Sequence, residues 1–137
     1  MGKQIVVITG SPRAKGNSFA MTDAFINAAE EKGHTVTRFD TAKLKIAGCR
    51  ACNSCYSKGK PGTCEDDFNP LAGAVEKADG VVFTAPLYWY TFPAQIKAAI
   101  DRMYALSVGK QDIAGKQCAL IACCEEGDAD VLKGITY

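Results

Sequence analysis

A short segment near the amino end, TGSPRAKGNS (residues 9–18), places hydrogen-bonding side chains between an apolar run and a helical pattern. A helix N-terminus presents unpaired backbone N–H groups and a partial positive charge, and both favour a bound anion. Hydroxyl, amide and guanidinium groups can add hydrogen bonds to a phosphate. The candidate phosphate ligands are Ser11, Arg13, Asn17 and Ser18. The simpler interpretation is a capped turn, since serine and asparagine are common at helix starts. The position after a buried strand favours phosphate binding.

The segment differs from the two best-known phosphate-binding patterns. A P-loop requires Gly-Lys-Ser/Thr, whereas here Lys15 precedes Gly16 and Asn17 follows. The G-x-G-x-x-G pattern of dinucleotide-binding folds is missing from the sequence, and Asp40 is the only acid at a plausible ribose position. The sequence therefore argues against phosphoryl transfer.

Three consecutive aromatic residues, Tyr88, Trp89 and Tyr90, follow the third predicted strand. Because the carboxyl ends of parallel strands share one edge of the sheet, this loop should lie near residues 9–18. A flat apolar wall there would suit a planar ring. Core packing or a subunit contact is the alternative, since aromatic residues are enriched at interfaces.

The most regular spacing of potential metal ligands is C-x-x-C-x-x-C, followed after eight residues by a fourth cysteine. These residues are Cys49, Cys52, Cys55 and Cys64. A bacterial ferredoxin pattern shares the first two gaps but has a shorter third gap. Tetrahedral zinc accepts four thiolates equally well, and a set of free thiols is the third possibility. The spacing leaves an iron–sulfur cluster, zinc and free thiols open.

The chain contains seven cysteines, an odd number that is unevenly spread. A secreted disulfide framework usually has an even count spaced over the whole chain, so we expect a reducing, cytoplasmic environment. Cys123 and Cys124 lie at the end of a late apolar run, in a loop that this topology would bring near the ring from another side. We favour the alternative that they are small hydrophobic residues at a strand end.

The apolar and helical patterns alternate along the chain and predict an α/β fold. Apolar runs predict buried strands at residues 5–8, 80–84 and 117–123, and an alternating run predicts a strand at 34–39. Helical patterns predict three helices. The first covers residues 18–32, the second follows the acidic run Glu65–Asp67, which we expect to cap it, and the third begins at Pro93. This order predicts a doubly wound parallel sheet in three layers. Residues 1–137 form one domain with a cysteine-rich insertion at about 45–66.

The charge balance and the length of the apolar runs argue against two classes of partner, nucleic acids and membranes. The chain of 137 residues has 16 basic and 15 acidic residues and a net charge of +1. We therefore expect no nucleic-acid partner. The apolar runs are shorter than the roughly 20 residues that span a membrane, so we expect no membrane partner.

Three motifs together resemble one known family. GSPRAKGNS, CRACNSCYSKGKPGTCEDDF and APLYWYTFPAQIKAAIDR are similar to segments of the NAD(P)H-dependent FMN reductase and iron–sulfur flavoprotein family, in the flavodoxin-like superfamily. The resemblance implies FMN phosphate binding by Ser11, Arg13, Asn17 and Ser18. It implies a flavin ring lined by Pro86, Leu87, Tyr88 and Trp89.

The same resemblance extends to the helix after the aromatic loop. Lys97, Asp101 and Arg102 match a family motif there, and we expect a structural or subunit-contact role for them. We predict no catalytic side chain, because FMN carries the redox chemistry and the protein supplies binding and orientation.

The resemblance implies an FMN-dependent oxidoreductase that takes electrons from NAD(P)H and passes them to a quinone, a flavin or another small acceptor. The alternative within the family is an electron carrier in which the four cysteines hold a [4Fe–4S] cluster near FMN and a ferredoxin-type protein is the donor. A hypothesis of another class is a non-enzymatic interaction module stabilised by zinc.

Family members generally continue into a fifth strand and a final helix, which this sequence lacks. We therefore expect a C-terminally truncated flavodoxin-like domain. The resemblance and the need of the site for a cover also imply a homodimer or homotetramer, and another chain could cover the open sheet edge.

Overall fold

A computed structural model describes residues 1–58, 65–108 and 113–136 of the chain. Four parallel strands form its sheet, in the order β2-β1-β3-β4. They are β1 (Gln4–Thr9), β2 (Thr35–Asp40), β3 (Gly80–Pro86) and β4 (Gln117–Cys123). The predicted α/β doubly wound architecture is confirmed.

The two central strands are continuous apolar runs because both of their faces are covered. Val7 and Ile8 of β1 are fully buried, and Val81 and Val82 of β3 are nearly so. In the parallel register Val6 lies opposite Val81 and Ile8 opposite Phe83.

Helices cover both faces of the sheet. They are α1 (Asn17–Glu31), α2 (Ser54–Lys58), α3 (Phe68–Lys77), α4 (Ala94–Arg102), α5 (Tyr104–Val108) and α6 (Lys133–Thr136). Short 3-10 helices lie at Thr41–Lys43 and Ala129–Leu132. No helix in the described ranges is both long enough and apolar enough to cross a membrane.

The main core lies between the sheet and the pair α3 and α4. Phe68 and Leu71 of α3 and Ile96 of α4 are fully buried against alternate residues of β1 and β3, including Ile8. On the opposite face α1 packs, and Thr22 of this helix contacts Thr84 through their hydroxyl groups at 2.7 Å.

Gly33 ends the first helix, as its position in the sequence predicts. Its φ is +81°, in the left-handed region that glycine adopts without steric cost. The Gly33 N–H donates to Glu30 O at 2.9 Å and the His34 N–H donates to Ala29 O at 3.1 Å. This ending returns the chain to the start of β2.

The loop after β1 passes close to α4. A Cβ atom at Gly10 would lie 2.6 Å from Cγ2 of Ile96 and 3.1 Å from Cβ of Ala85. The Gly10 N–H donates to Thr84 O at 2.8 Å, which extends the pairing of β1 with β3. Only glycine fits at position 10 without a shift of its neighbours, and the loop at residues 11–16 begins directly after it.

Candidate functional site

A cleft of about 490 Å³ opens at the carboxyl ends of β1, β3 and β4. This is the edge at which doubly wound sheets bind ligands. All eight residues predicted to bind the cofactor line it, namely Ser11, Arg13, Asn17, Ser18, Pro86, Leu87, Tyr88 and Trp89. Gly16, Cys123, Cys124 and Glu125 complete the lining. The structure thus brings two segments about seventy residues apart in sequence into one cleft.

One end of the cleft is formed by the N-terminus of α1. Gly16 is the N-cap residue in an extended conformation, and none of the described side chains caps this terminus. The first turn carries no acidic residue. Ser11 and Ser18 are 4% and 5% exposed. Buried hydroxyl groups beside a helix N-terminus form a site suited to an anion.

The loop before α1 has a turn closed by Ser11. The Arg13 N–H donates to Ser11 Oγ at 3.2 Å, and Ser11 Oγ lies 3.3 Å from Arg13 O. Arg13 itself is exposed at the mouth of the cleft. Its guanidinium group can therefore reach a ligand without first breaking a buried ion pair.

A chain of hydroxyl groups supports this end of the cleft from below. Thr22 Oγ1 donates to the Ser18 carbonyl at 2.6 Å and lies 2.7 Å from Thr84 Oγ1. Thr22 and Thr84 are fully buried. The first turn of α1 is thus tied to the central strand β3, and Ser18 is held in place before any ligand arrives.

The aromatic residues after β3 form a tight turn. The N–H groups of Tyr88 and Thr91 each donate to the carbonyl oxygen of the other residue, at 2.9 Å and 3.1 Å. The two central residues have positive φ, +46° at Trp89 and +64° at Tyr90. Such values are uncommon for bulky residues and concentrate at functional sites. Trp89 is 91% exposed at the rim of the cleft, where its ring meets that of Tyr90 edge to face.

Cys123 lines the cleft, whereas the sequence interpretation favoured a small hydrophobic residue over an approach of its loop to the ring. Its Sγ lies 3.0 Å from Ser18 Oγ, and its carbonyl oxygen accepts the Leu87 N–H at 2.8 Å. The only signal in the sequence is its place at the carboxyl end of a predicted strand. Residue composition alone could not separate this thiol from a small hydrophobic side chain.

The cysteine-rich segment forms a second cavity, of about 380 Å³. Cys49, Cys52 and Cys55 line it, with residues of α4 and α5 as its floor. Cys64, the fourth predicted ligand, lies outside the described residues. Within the described ranges, no group of three or more His, Cys, Asp or Glu residues is arranged to hold a metal ion. The cavity gathers three candidate ligands without forming a metal site from them.

An ion pair fixes both ends of this segment to α4. Arg102, whose side chain is 7% exposed, lies 2.8 Å from Asp66 Oδ2 and donates to Ala47 O at 2.9 Å. The guanidinium also stacks over the Phe68 ring at 4.6 Å. Burial alone would raise the pKa of Asp66, but hydrogen bonds from Arg102 and from the backbone N–H groups of Ala47 and Phe68 lower it overall. Arg102 therefore has a structural role.

The acidic run before α3 does more than cap the helix. Asp66 Oδ1 accepts the Phe68 N–H at 3.1 Å, as a capping group would. Asp67, the N-cap residue, makes no side-chain cap bond; its carboxylate instead accepts the Lys45 N–H at 2.6 Å. The expected capping is thus made by Asp66, while Asp67 is hydrogen-bonded to the backbone at Lys45.

A pair of tyrosines joins the cysteine-rich segment to α5. The hydroxyl groups of Tyr56 and Tyr104 are hydrogen-bonded, and their rings meet edge to face with centroids 6.0 Å apart. The hydrogen bond with Tyr56 raises the pKa of Tyr104. Lys97 and Asp101, the other two residues of the α4 motif, form an exposed ion pair at 2.5 Å.

The donor set of the first cleft fits an FMN-type ligand. Two buried hydroxyl groups, one exposed guanidinium and an uncapped helix N-terminus suit a phosphate. Pro86, Leu87 and the aromatic turn offer an apolar surface to a ring. The cysteine-rich cavity fits a metal centre less well in its described part, where three thiols are present without ligand geometry.

Comparison with known proteins identifies a family for the sequence. The family described as NADPH-dependent FMN reductase matches residues 4–132. An iron-sulfur flavoprotein of Archaeoglobus fulgidus is 38% identical over 100 residues, which cover 72% of this chain and 44% of that protein. The chain thus spans less than half the length of this relative.

Solved structures share the fold at low sequence identity. The NAD(P)H:quinone oxidoreductase from Methanothermobacter marburgensis matches with a TM-score of 0.74 and 18% identity, over 96% of this chain and 68% of that one. The FMN-dependent NADH-azoreductase from Bacillus anthracis, solved in complex with FMN, matches with a TM-score of 0.66 and 15% identity, over 95% of this chain and 76% of that one. With the family match, the sheet order and the cleft in agreement, the chain belongs to the NADPH-dependent FMN reductase family.

Proposed function

We propose that this protein is an FMN-dependent oxidoreductase that takes electrons from NAD(P)H and passes them to a quinone, a flavin or another small acceptor. The observation that carries the proposal is the convergence of eight residues from two distant segments in one cleft. The cleft lies where doubly wound sheets bind their ligands. Membership of the NADPH-dependent FMN reductase family supports the same conclusion.

The residues at the α1 end of the cleft would hold the phosphate of FMN. Ser11 and Ser18 offer buried hydroxyl groups, and Asn17 lies at the first position of the helix. Arg13 supplies a guanidinium whose fork of N–H donors matches phosphate oxygens. Glu125 also lines the cleft and is the opposing charge, so the phosphate end lies with Arg13 and the helix N-terminus.

The residues at the other end would orient the ring. Pro86 ends β3 and Leu87 follows it, and both are half-buried, whereas Tyr88 and Trp89 are exposed. Bound FMN supplies hydride and electron transfer, and we assign no general acid or base to the protein. The work of this chain is to bind the nucleotide, to fix the orientation of its ring and to leave one face open to a reduced nicotinamide.

The first experiment measures flavin binding and reduction. Titration of the purified protein with FMN should quench flavin fluorescence, and NADH or NADPH should then bleach the flavin absorbance. Ser18→Ala should weaken FMN binding by roughly 1–3 kcal/mol if the hydroxyl bonds the phosphate. A folded wild-type protein that binds no FMN would overturn the proposal.

A second candidate function is an electron carrier that contains an iron–sulfur cluster. Cys49, Cys52 and Cys55 line one cavity, and the Archaeoglobus relative is named an iron-sulfur flavoprotein. Cys64 would be the fourth ligand of a [4Fe–4S] cluster. In this function a ferredoxin-type protein, rather than NAD(P)H, would be the electron donor.

Iron, sulfide and zinc analysis of anaerobically purified protein separates these functions. Four irons and four sulfides per chain, with rapid reduction by ferredoxin and none by NAD(P)H, support the carrier. Zinc without FMN affinity supports the non-enzymatic module. FMN without metal, reduced by NAD(P)H, supports the oxidoreductase with free thiols.

The assembly is part of the proposal as well. β4 lies at one edge of the described sheet, and its residues Cys118 and Ala119 are exposed. An apolar edge favours pairing with a further strand, either from the same domain or from another chain. We propose a homodimer or homotetramer that acts in the reducing cytoplasm, and sedimentation equilibrium tests the assembly.

A further inference from the structure

We propose that Cys123 is a positioning residue for the phosphate end of the cleft and that it helps the protein to discriminate FMN from riboflavin. The inference rests on the proposed FMN function and concerns the same cleft. Cys123 is the last residue of β4, and its Sγ lies 3.0 Å from Ser18 Oγ at the start of α1.

The number of hydrogens on a serine hydroxyl decides the direction of this contact. Ser18 Oγ has one hydrogen and two lone pairs. The oxygens of a phosphate dianion only accept, so a Ser18 hydroxyl that bonds it must donate its single hydrogen to the phosphate. The remaining partner of Ser18 Oγ must then be a donor, and the Cys123 thiol is in place to donate its S–H. The result is a chain from thiol to hydroxyl to phosphate.

Burial and a backbone hydrogen bond restrict the position of Ser18. Its residue is 5% exposed, and its carbonyl oxygen is held by Thr22 Oγ1 at 2.6 Å. Ser11, 4% exposed, and Arg13 line the same cleft. The Cys123 thiol therefore contacts a hydroxyl group that lies among other groups suited to an anion.

Cys123 also links the two ends of the cleft through its backbone. Its carbonyl oxygen accepts the Leu87 N–H at 2.8 Å, and Leu87 belongs to the loop that would face the ring. The side chain thus contacts the phosphate end while the backbone holds the ring end. Since both contacts come from one residue, the distance between the two ends is set in part by β4.

Cys118 is a matched cysteine of the same strand. It lies at the amino end of β4, is exposed and is not among the residues that line the cleft. A substitution there removes a thiol from β4 without touching Ser18 or the cleft. It therefore controls for any general effect of losing a cysteine from this strand.

The test compares FMN and riboflavin affinities in three variants. Cys123→Ala should weaken FMN binding about fivefold, as expected for one lost hydrogen bond, and should leave riboflavin binding within about twofold. Cys123→Ser should retain the FMN affinity, because a hydroxyl can donate in the same direction. Cys118→Ala should leave both affinities unchanged. Rescue by serine is a result that loss of packing alone would not produce.

The outcomes separate this inference from the proposed function. If the wild type binds FMN but Cys123→Ala has the wild-type ratio of FMN to riboflavin affinity, the positioning role is wrong and the FMN function stands. If the folded wild type binds no FMN, both fail together.

A measurement on the unsubstituted protein provides a second test. Iodoacetamide labelling, read by peptide mass mapping, should be slower at Cys123 with saturating FMN than with saturating riboflavin. Equal protection by the two flavins would contradict a contact at the phosphate end.

Discussion

Arg13 and Lys15 show how position, rather than charge, decides which cation of the loop before α1 lines the cleft. Both are exposed and lie two residues apart before α1. Arg13 lines the cleft, whereas Lys15 is not among the lining residues. The turn closed by Ser11 directs the chain at residue 13 towards the cleft.

We expect Arg13→Ala to weaken FMN binding by about 1–3 kcal/mol, because it removes a charge-assisted hydrogen bond to the phosphate. Lys15→Ala is the matched control and should change the affinity by a few tenths of a kcal/mol at most. Fluorescence titration with FMN measures both. Equal losses for the two variants would indicate a general electrostatic effect instead of a specific contact.

Tyr90 illustrates a local conflict between residue type and backbone conformation. Its φ of +64° costs an L-residue with a Cβ atom roughly 1–2 kcal/mol relative to the right-handed region. Its side chain is 58% exposed and lies outside the cleft lining. The backbone conformation of this turn is therefore one that bulky residues such as Tyr90 disfavour.

Tyr90→Gly should stabilise the protein by about 0.5–1 kcal/mol, since glycine adopts positive φ without that cost. Tyr88→Gly, in the same turn at a position without positive φ, should destabilise it. Urea denaturation followed by circular dichroism measures both free energies of unfolding. A loss of stability in Tyr90→Gly would show that the tyrosine ring contributes more than its backbone conformation costs.

At the scale of elements, the cysteine-rich segment is held by the helices on which it lies. Arg102 of α4 binds residues on both sides of the segment, Ala47 before it and Asp66 after it. The tyrosine pair adds a contact between α2 and α5. These contacts anchor the segment at its two ends and at Tyr56.

Arg102→Ala should destabilise the protein by about 3 kcal/mol, because it leaves the largely buried Asp66 carboxylate without its partner. Lys97→Ala breaks the exposed i, i+4 pair with Asp101 on the same helix and should cost less than about 0.5 kcal/mol. Urea denaturation gives both values. In Arg102→Ala we also expect faster reaction of the loop thiols with a disulfide reagent, and an unchanged rate would argue against anchoring by this residue.

The Asp66 carboxylate makes part of the stability dependent on pH. Its pKa in the folded state is lowered from the usual 3.8, so folding favours the ionised form. This contribution is complete above the unfolded-state pKa and is lost as the pH falls through the lower folded-state value. We expect wild-type stability to fall between about pH 5 and pH 3, and Asp66→Asn to fall less over the same window.

At the scale of the whole molecule, the sheet joins the two halves of the cleft. β1 and β3 are the central strands, and the loops after them carry the predicted phosphate and ring contacts. β4 adds Cys123 beside Ser18. A ligand that fills the cleft must therefore contact loops that follow three different strands.

FMN should slow hydrogen exchange at residues 11–18 and 86–91 together, because the ligand covers both loops at once. Exchange in α3 should change little, since its buried face packs in the core away from the cleft. Mass spectrometry of peptic peptides resolves these segments. Protection of only one of the two loops would contradict a ligand that spans the cleft.

Much of the element order follows from the sequence. The continuous apolar runs predict strands in the positions observed, and Gln117–Cys123 is β4 as expected. The helical spacing before Gly33 and after Pro93 predicts α1 and α4. The spacing of apolar residues indicates which face of each element is buried, and it therefore predicts the layers of the fold.

The sequence by itself determined the α/β fold, the loop before α1 and the aromatic loop as candidate ligand contacts, because these features depend on residues close together in the chain. Only the tertiary structure decided that Cys123 contacts Ser18 and that Arg102 anchors both ends of the cysteine-rich segment. These contacts join residues 36 to 105 positions apart, and local patterns contain no information about such pairs. The order of the strands in the sheet decides which side chains on different elements lie close together.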